Sequence, residues 1–200
     1  MSIFKPTMAV TRYKVSGIPE TDGKDPIQAM MDIFTKDQIV DIPDGEDVAW
    51  GWTKLTDPYC PKFDDVTFLT GSYVTVGLRV DKKSVPAAAL KKEVYLAEKK
   101  EMEEKQIPRL ARTTKVMIKE AVLKNMLAKA PVVPATFDVV WNVSDMEIYL
   151  FSTNKFARDV LEDIIRESFD LSIEMVFPFT MGEDSVNESE LVNLTQTVFT

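Results

Sequence analysis

The sequence predicts an α+β fold built from two β/α units, β-α-β-β and β-β-α-β, joined by a long basic helical pair. Three observations lead there. Short runs rich in β-branched and aromatic residues recur at residues 8–16, 48–55, 72–80, 136–141, 147–152 and 172–177. Between several of them lie segments whose apolar residues repeat at spacings of three and four. From Lys82 to Lys129, thirteen Lys/Arg stand against six Asp/Glu, a net +7 inside a chain whose remainder carries −15. Strands and helices grouped in this order indicate α+β rather than a doubly wound parallel sheet.

Each element has a local reason. Met8 to Ser16 carries β-branched and aromatic residues and reads as a strand. Asp25-Pro26 opens a helix, because Asp caps and Pro suits the first helical position, and Ile27, Met30, Met31 and Phe34 follow at helical spacing. Val48 to Leu55 reads as a strand with Trp50 and Trp52 on one face, and Asp57 to Asp65, with two prolines, as a loop. Ser72 to Val80 is a strongly apolar strand. Pro86 opens a helix that runs to about Gln106, and Pro108 interrupts it. A second helix is expected from about Arg109 to Ala128, ended by Pro131 and Pro134. Thr136–Trp141 and Glu147–Ser152 form a hairpin around residues 143–146. Asn154 caps a helix through Phe169, Ser172–Phe177 is a last strand, and Glu188–Phe199 reads as a peripheral helix. The expected organisation is one α+β domain over 1–182, with the basic helical segment at 84–130, followed by an acidic tail or peripheral helix at 183–200.

Composition narrows the chemistry. There is no histidine, which removes the commonest general base and the commonest metal ligand together. Cys60 is the single cysteine, so no internal disulfide and no structural zinc site can be built. The N-terminus carries no apolar signal-like core, and no apolar run approaches the roughly 18 residues of a membrane span. The expectation is a soluble cytoplasmic protein with no cofactor, no metal and no membrane partner. The three tryptophans could stack on unpaired bases, but their apolar neighbours favour core packing.

The basic segment points to a polyanion. Charges are felt over about 10 Å at 0.1 M salt, so a phosphate backbone meets the local patch rather than the net charge of −8. On a wheel of about 100° per residue, Arg109, Arg112, Lys115 and Lys119 fall within about 120°. Leu110, Met117, Ile118, Ala121 and Ala128 fall on the opposite arc, which is expected to face the core. In the preceding helix, Lys91, Lys92, Lys99, Lys100 and Lys105 alternate with glutamates that can pair at spacing three or four, so that face reads as solvated. The second helix has only Glu120 as an acid, which favours nucleic acid there.

An ordered set of short motifs carries a resemblance. Thr11-Arg12-Tyr13-Lys14-Val15, Gly51-Trp52 and Leu78-Arg79-Val80-Asp81 precede Pro86 and Leu90-Lys91-Lys92. Ile118-Lys119-Glu120-Ala121-Val122 with Leu127, Asp138-Val139-Val140-Trp141 and Phe151-Ser152-Thr153-Asn154-Lys155 follow. This series, from about Thr11 to Pro178, resembles the bacterial recombination-associated RdgC family. The resemblance implies a nucleoid-associated homodimer that encircles or clamps double-stranded DNA without sequence preference and restrains RecA-driven strand exchange. It implies DNA contacts from Arg79, Lys82, Lys83, Lys91 and Lys92 at the strand-to-helix entry, and from Arg109, Arg112, Lys115 and Lys119 on the second helix. Longer members carry a C-terminal region that helps close the ring and an Arg- and Phe-containing loop where this chain reads Lys129-Ala130-Pro131-Val132-Val133-Pro134. An open dimer, or a ring closed differently, is therefore an alternative.

Two other function classes stay open. A Mg²⁺-dependent nuclease could combine Pro43-Asp44 with Glu103-Glu104-Lys105, or use the Asp64-Asp65 pair, although Glu103 and Lys105 fall on a helix rather than a strand. A DNA-independent assembly module would pack the long helices against a partner helix.

Overall fold

The computed structural model describes residues 8–17, 23 and 25–177. Its elements follow in the order β1 (Thr11–Ser16), α1 (Pro26–Lys36), β2 (Val48–Thr53), β3 (Leu69–Thr70), β4 (Tyr73–Lys83), α2 (Ala87–Lys105), α3 (Arg112–Lys129), β5 (Val132–Asn142), β6 (Glu147–Leu150), α4 (Lys155–Phe169) and β7 (Ser172–Met175). The fold is α+β. Among the described residues the strands form one seven-stranded sheet in the order β2-β4-β5-β6-β1-β7, with β3 paired to β4. Strand β1 pairs antiparallel on both sides, Arg12 opposite Tyr149 of β6 and Lys14 opposite Glu174 of β7. The chain forms two compact units, and they are not its two sequence halves. Among the described residues, the first holds those up to 38, 52–78 and 136–177; the second holds 39–51 and 79–135.

The first unit is organised by aromatic rings. Phe34 of α1 is 1% exposed and meets four rings, those of Trp52, Phe63, Phe68 and Phe169, at centroid distances of 5.3 to 5.7 Å. Trp141 packs edge-on to Phe169 at 5.2 Å, and Trp52 Nε1 donates to Ser168 Oγ at 3.2 Å. Helix α4 buries Ala157, Val160, Leu161, Ile164, Ile165 and Phe169, the three-and-four spacing of one helical face. Asn154 Oδ1 accepts from the N–H of Phe156, and Asp25 accepts from that of Gln28, so both sequence-read caps are present. Strand β1 turns Tyr13 and Val15 into the core and leaves Arg12 and Lys14 outward, a period of two.

The second unit contains the α2–α3 hairpin. Pro86 precedes α2, and Gln106 closes it in the left-handed region at φ 51°, its N–H bonding back to Glu103 and Met102. Neither α2 nor α3 contains a buried residue.

Several sequence expectations need correction. The second helix starts at Arg112, not Arg109: residues 109–111 are not helical, and Ala111 at the cap is extended (φ −66°, ψ 153°). Leu110 is buried, but from this link rather than from the helix. The arc expected to face the core is not the buried one: Met117 is 68% exposed, and Ala121 and Ala128 are exposed as well. Instead α3 half-buries Thr114, Ile118, Val122, Leu123, Met126 and Leu127, so the helix is rotated toward its lysine side. Trp52 and Trp141 are core residues, but Trp50 is 40% exposed and joins none of the ring contacts. The first strand begins at Thr11, the last ends at Met175, and β5 already begins at Val132. Pro134 thus lies inside a strand, at a stretch where residues 132–135 are all exposed and a missing N–H is tolerated. The two-residue β3 went unread; it is turned into β4 by Gly71 at φ 60°. The expected helix at Glu188–Phe199 and the acidic tail 183–200 lie outside the described residues.

One backbone approach in the first unit has no slack. A Cβ on Gly77 of β4 would sit 2.7 Å from Thr53 Cγ2, and Thr53 is fully buried. Gly77→Ala is expected to cost about 1–3 kcal/mol as overpacking. Thr53→Ser, which deletes that methyl group, should recover much of the cost. Urea unfolding of the two single variants and the double variant checks this, and simple additivity of the two costs would contradict it.

Candidate nucleic-acid interface

The hairpin α2–α3 displays its charges because it buries almost nothing. Between Ala87 and Lys129 it carries eleven Lys/Arg and six Asp/Glu. Helical spacing brings three of the lysines of α2 onto glutamates: Lys99 to Glu103 at 3.8 Å, Lys100 to Glu104 at 3.7 Å, and Lys105 to Glu101 at 2.6 Å. The Glu101 contact pushes the Lys105 ammonium above its ordinary range. Lys92 lies 4.0 Å from Glu93. The reading of α2 as a mostly self-neutralised face therefore holds.

Across the hairpin, Lys115 Nζ of α3 meets Glu98 Oε2 of α2 at 3.1 Å. Five of the six glutamates thus have a lysine of the same hairpin beside them, and only Glu120 has none. Six cations are left over: Lys91, Arg109, Arg112, Lys119, Lys124 and Lys129. All six are exposed, and none makes an ion pair among the described residues. Lys124 and Lys129 were not among the sequence candidates, since they fall off the wheel arc. The readable signal was the shortage of acids along the whole helix, not the angular grouping.

At the strand-to-helix entry the cations differ in exposure. Arg79 is committed to Asp81 two residues along the strand, with Nε at 2.7 Å from Oδ1 and Nη2 at 2.6 Å from Oδ2. The Arg79 side chain is 15% exposed and that of Asp81 3%, so this is an inward fork rather than an offered cation. Lys82 is exposed. Lys83 ties β4 to the turn before β2: its N–H donates to the Asp47 carbonyl at 2.8 Å, and its Nζ approaches the Glu46 carbonyl at 3.4 Å. Arg109 lies in the link between the helices, and Lys92 is exposed near the start of α2.

Arg12, from the motif in β1, has its own partner. The Arg12 guanidinium forks onto Glu147, and Tyr149 Oη donates to Glu147 Oε2 at 2.5 Å. Arg12 first, then Tyr149, holds the Glu147 carboxyl below its ordinary range.

The nuclease candidates have the following neighbours. Glu103 and Lys105 lie on α2 and pair with Lys99 and Glu101. Asp44 lines a cavity of about 500 Å³ with Glu46, Asp47, Glu120, Lys83 and Lys124. Asp64 and Asp65 both bind Lys54 Nζ, at 2.9 and 3.1 Å. Among the described residues, no group of three or more Asp, Glu or Cys side chains is arranged to hold a metal ion, and no helix is long and apolar enough to cross a membrane.

No family model matches this chain, and no curated protein matches it.

Asp65 offers a titration test of its loop. Thr67 donates both its hydroxyl, at 2.5 Å, and its N–H, at 3.1 Å, to Asp65 Oδ1. With Thr67 first and then Lys54 favouring the carboxylate, Asp65 is held at about 2. Its folded value is below the unfolded one, so its contribution to stability is present above about pH 4 and is lost as pH falls toward 2. Thr67→Val should move the Asp65 carboxyl back toward an ordinary aspartate, as read by the carboxyl NMR shift. An unchanged titration would show that Thr67 is not the controlling donor.

Proposed function

We propose that this chain binds double-stranded DNA without sequence preference through the α2–α3 hairpin, acting as a dimer in the nucleoid-associated role of the RdgC family and modulating RecA-dependent recombination. One observation carries the reading: the hairpin pairs five of its six acids with its own lysines and still presents Lys91, Arg109, Arg112, Lys119, Lys124 and Lys129 without ion-pair partners among the described residues. Lysine and arginine on phosphates release condensed counterions. Contacts of that kind position a protein on DNA and carry no sequence information. The chemistry is binding alone, and the location that goes with it is the nucleoid of the cytoplasm.

A second reading has its own support. Helices α2 and α3 bury no residue and expose Tyr95, Leu96, Val116 and Met117. Bare helices of this kind gain most from a partner helix. A stable oligomer by sizing that ignores DNA at low salt would favour a DNA-independent assembly module.

Affinity should fall by about 0.9 log units per log unit of salt for each phosphate contact, so five contacts give a log–log slope of about −4.5. Arg112→Glu with Lys119→Glu should weaken binding and make the slope shallower by about 2, measured by anisotropy titrations of a labelled duplex across a salt series. Wild-type affinity and slope in the double variant would remove α3 from the interface. Linear duplex incubated with the protein and Mg²⁺ is expected to stay intact, whereas degradation that tracks the protein and is lost with EDTA would favour the nuclease.

A further inference from the structure

We draw no further inference here: the strongest candidate, the groove of about 600 Å³ between α2 and α3 with Leu96, Ala97, Val122 and Met126 in its lining and Lys100 and Lys129 at its sides, carries none because nothing in the structure shows what covers it.

Discussion

The placement of Phe34 among four aromatic rings is the constraint on which the first unit depends. It ties α1 to β2 through Trp52, to α4 through Phe169, and to the β2–β4 connection through Phe63 and Phe68. Trp141 of β5 joins at the Phe169 edge. Edge-on aromatic pairs add about 0.5–1.5 kcal/mol each beyond the area they bury. The rings also come from segments far apart in sequence, so the cluster closes the chain from residue 34 to residue 169. Strands β4 and β5, which belong partly to this unit, are the ones that lead into α2 and out of α3.

The hairpin obeys different physics. Helix α4 is held by an apolar face that disappears from water; α2 and α3 have none. Their cohesion rests on half-buried ridges and on exposed ion pairs, each contributing a few tenths of a kcal/mol. A segment built this way is ill-suited to anchor a core and well-suited to present charge. Its six cations that make no ion pair among the described residues stand within a chain of net charge −8. Because screening confines each charge to about 10 Å, the local balance is what counts; at Lys124 it includes Asp44, Glu46, Asp47 and Glu120, which line one cavity with it.

What was legible in the sequence follows from how local each signal is. Asp25-Pro26, Asn154 and Pro86 mark helix starts with chemistry contained in a few residues, and all three stand where expected. The glutamate–lysine pairing of α2 is likewise set by spacing alone. The buried side of α3 was not legible, because a helix whose apolar residues are scattered around its circumference takes its orientation from its neighbours. Trp50 and Trp52 are two residues apart on one strand, yet only Trp52 lies among rings brought from α1 and α4. Arg79 read as a candidate for DNA because its sequence neighbourhood is basic; its inward fork onto Asp81 depends on burial that charge counting does not reveal. Lys124 and Lys129 fall off the wheel arc, so no angular pattern marks them, although neither makes an ion pair among the described residues.

The most direct measurement of the central claim is lysine acetylation footprinting by mass spectrometry, with and without duplex DNA at low salt. DNA binding through the hairpin should strongly protect Lys91, Lys119, Lys124 and Lys129, with little change at Lys36 and Lys155, which lie outside the hairpin. Equal acetylation of the hairpin lysines in both conditions, or protection confined to the other unit, would contradict it.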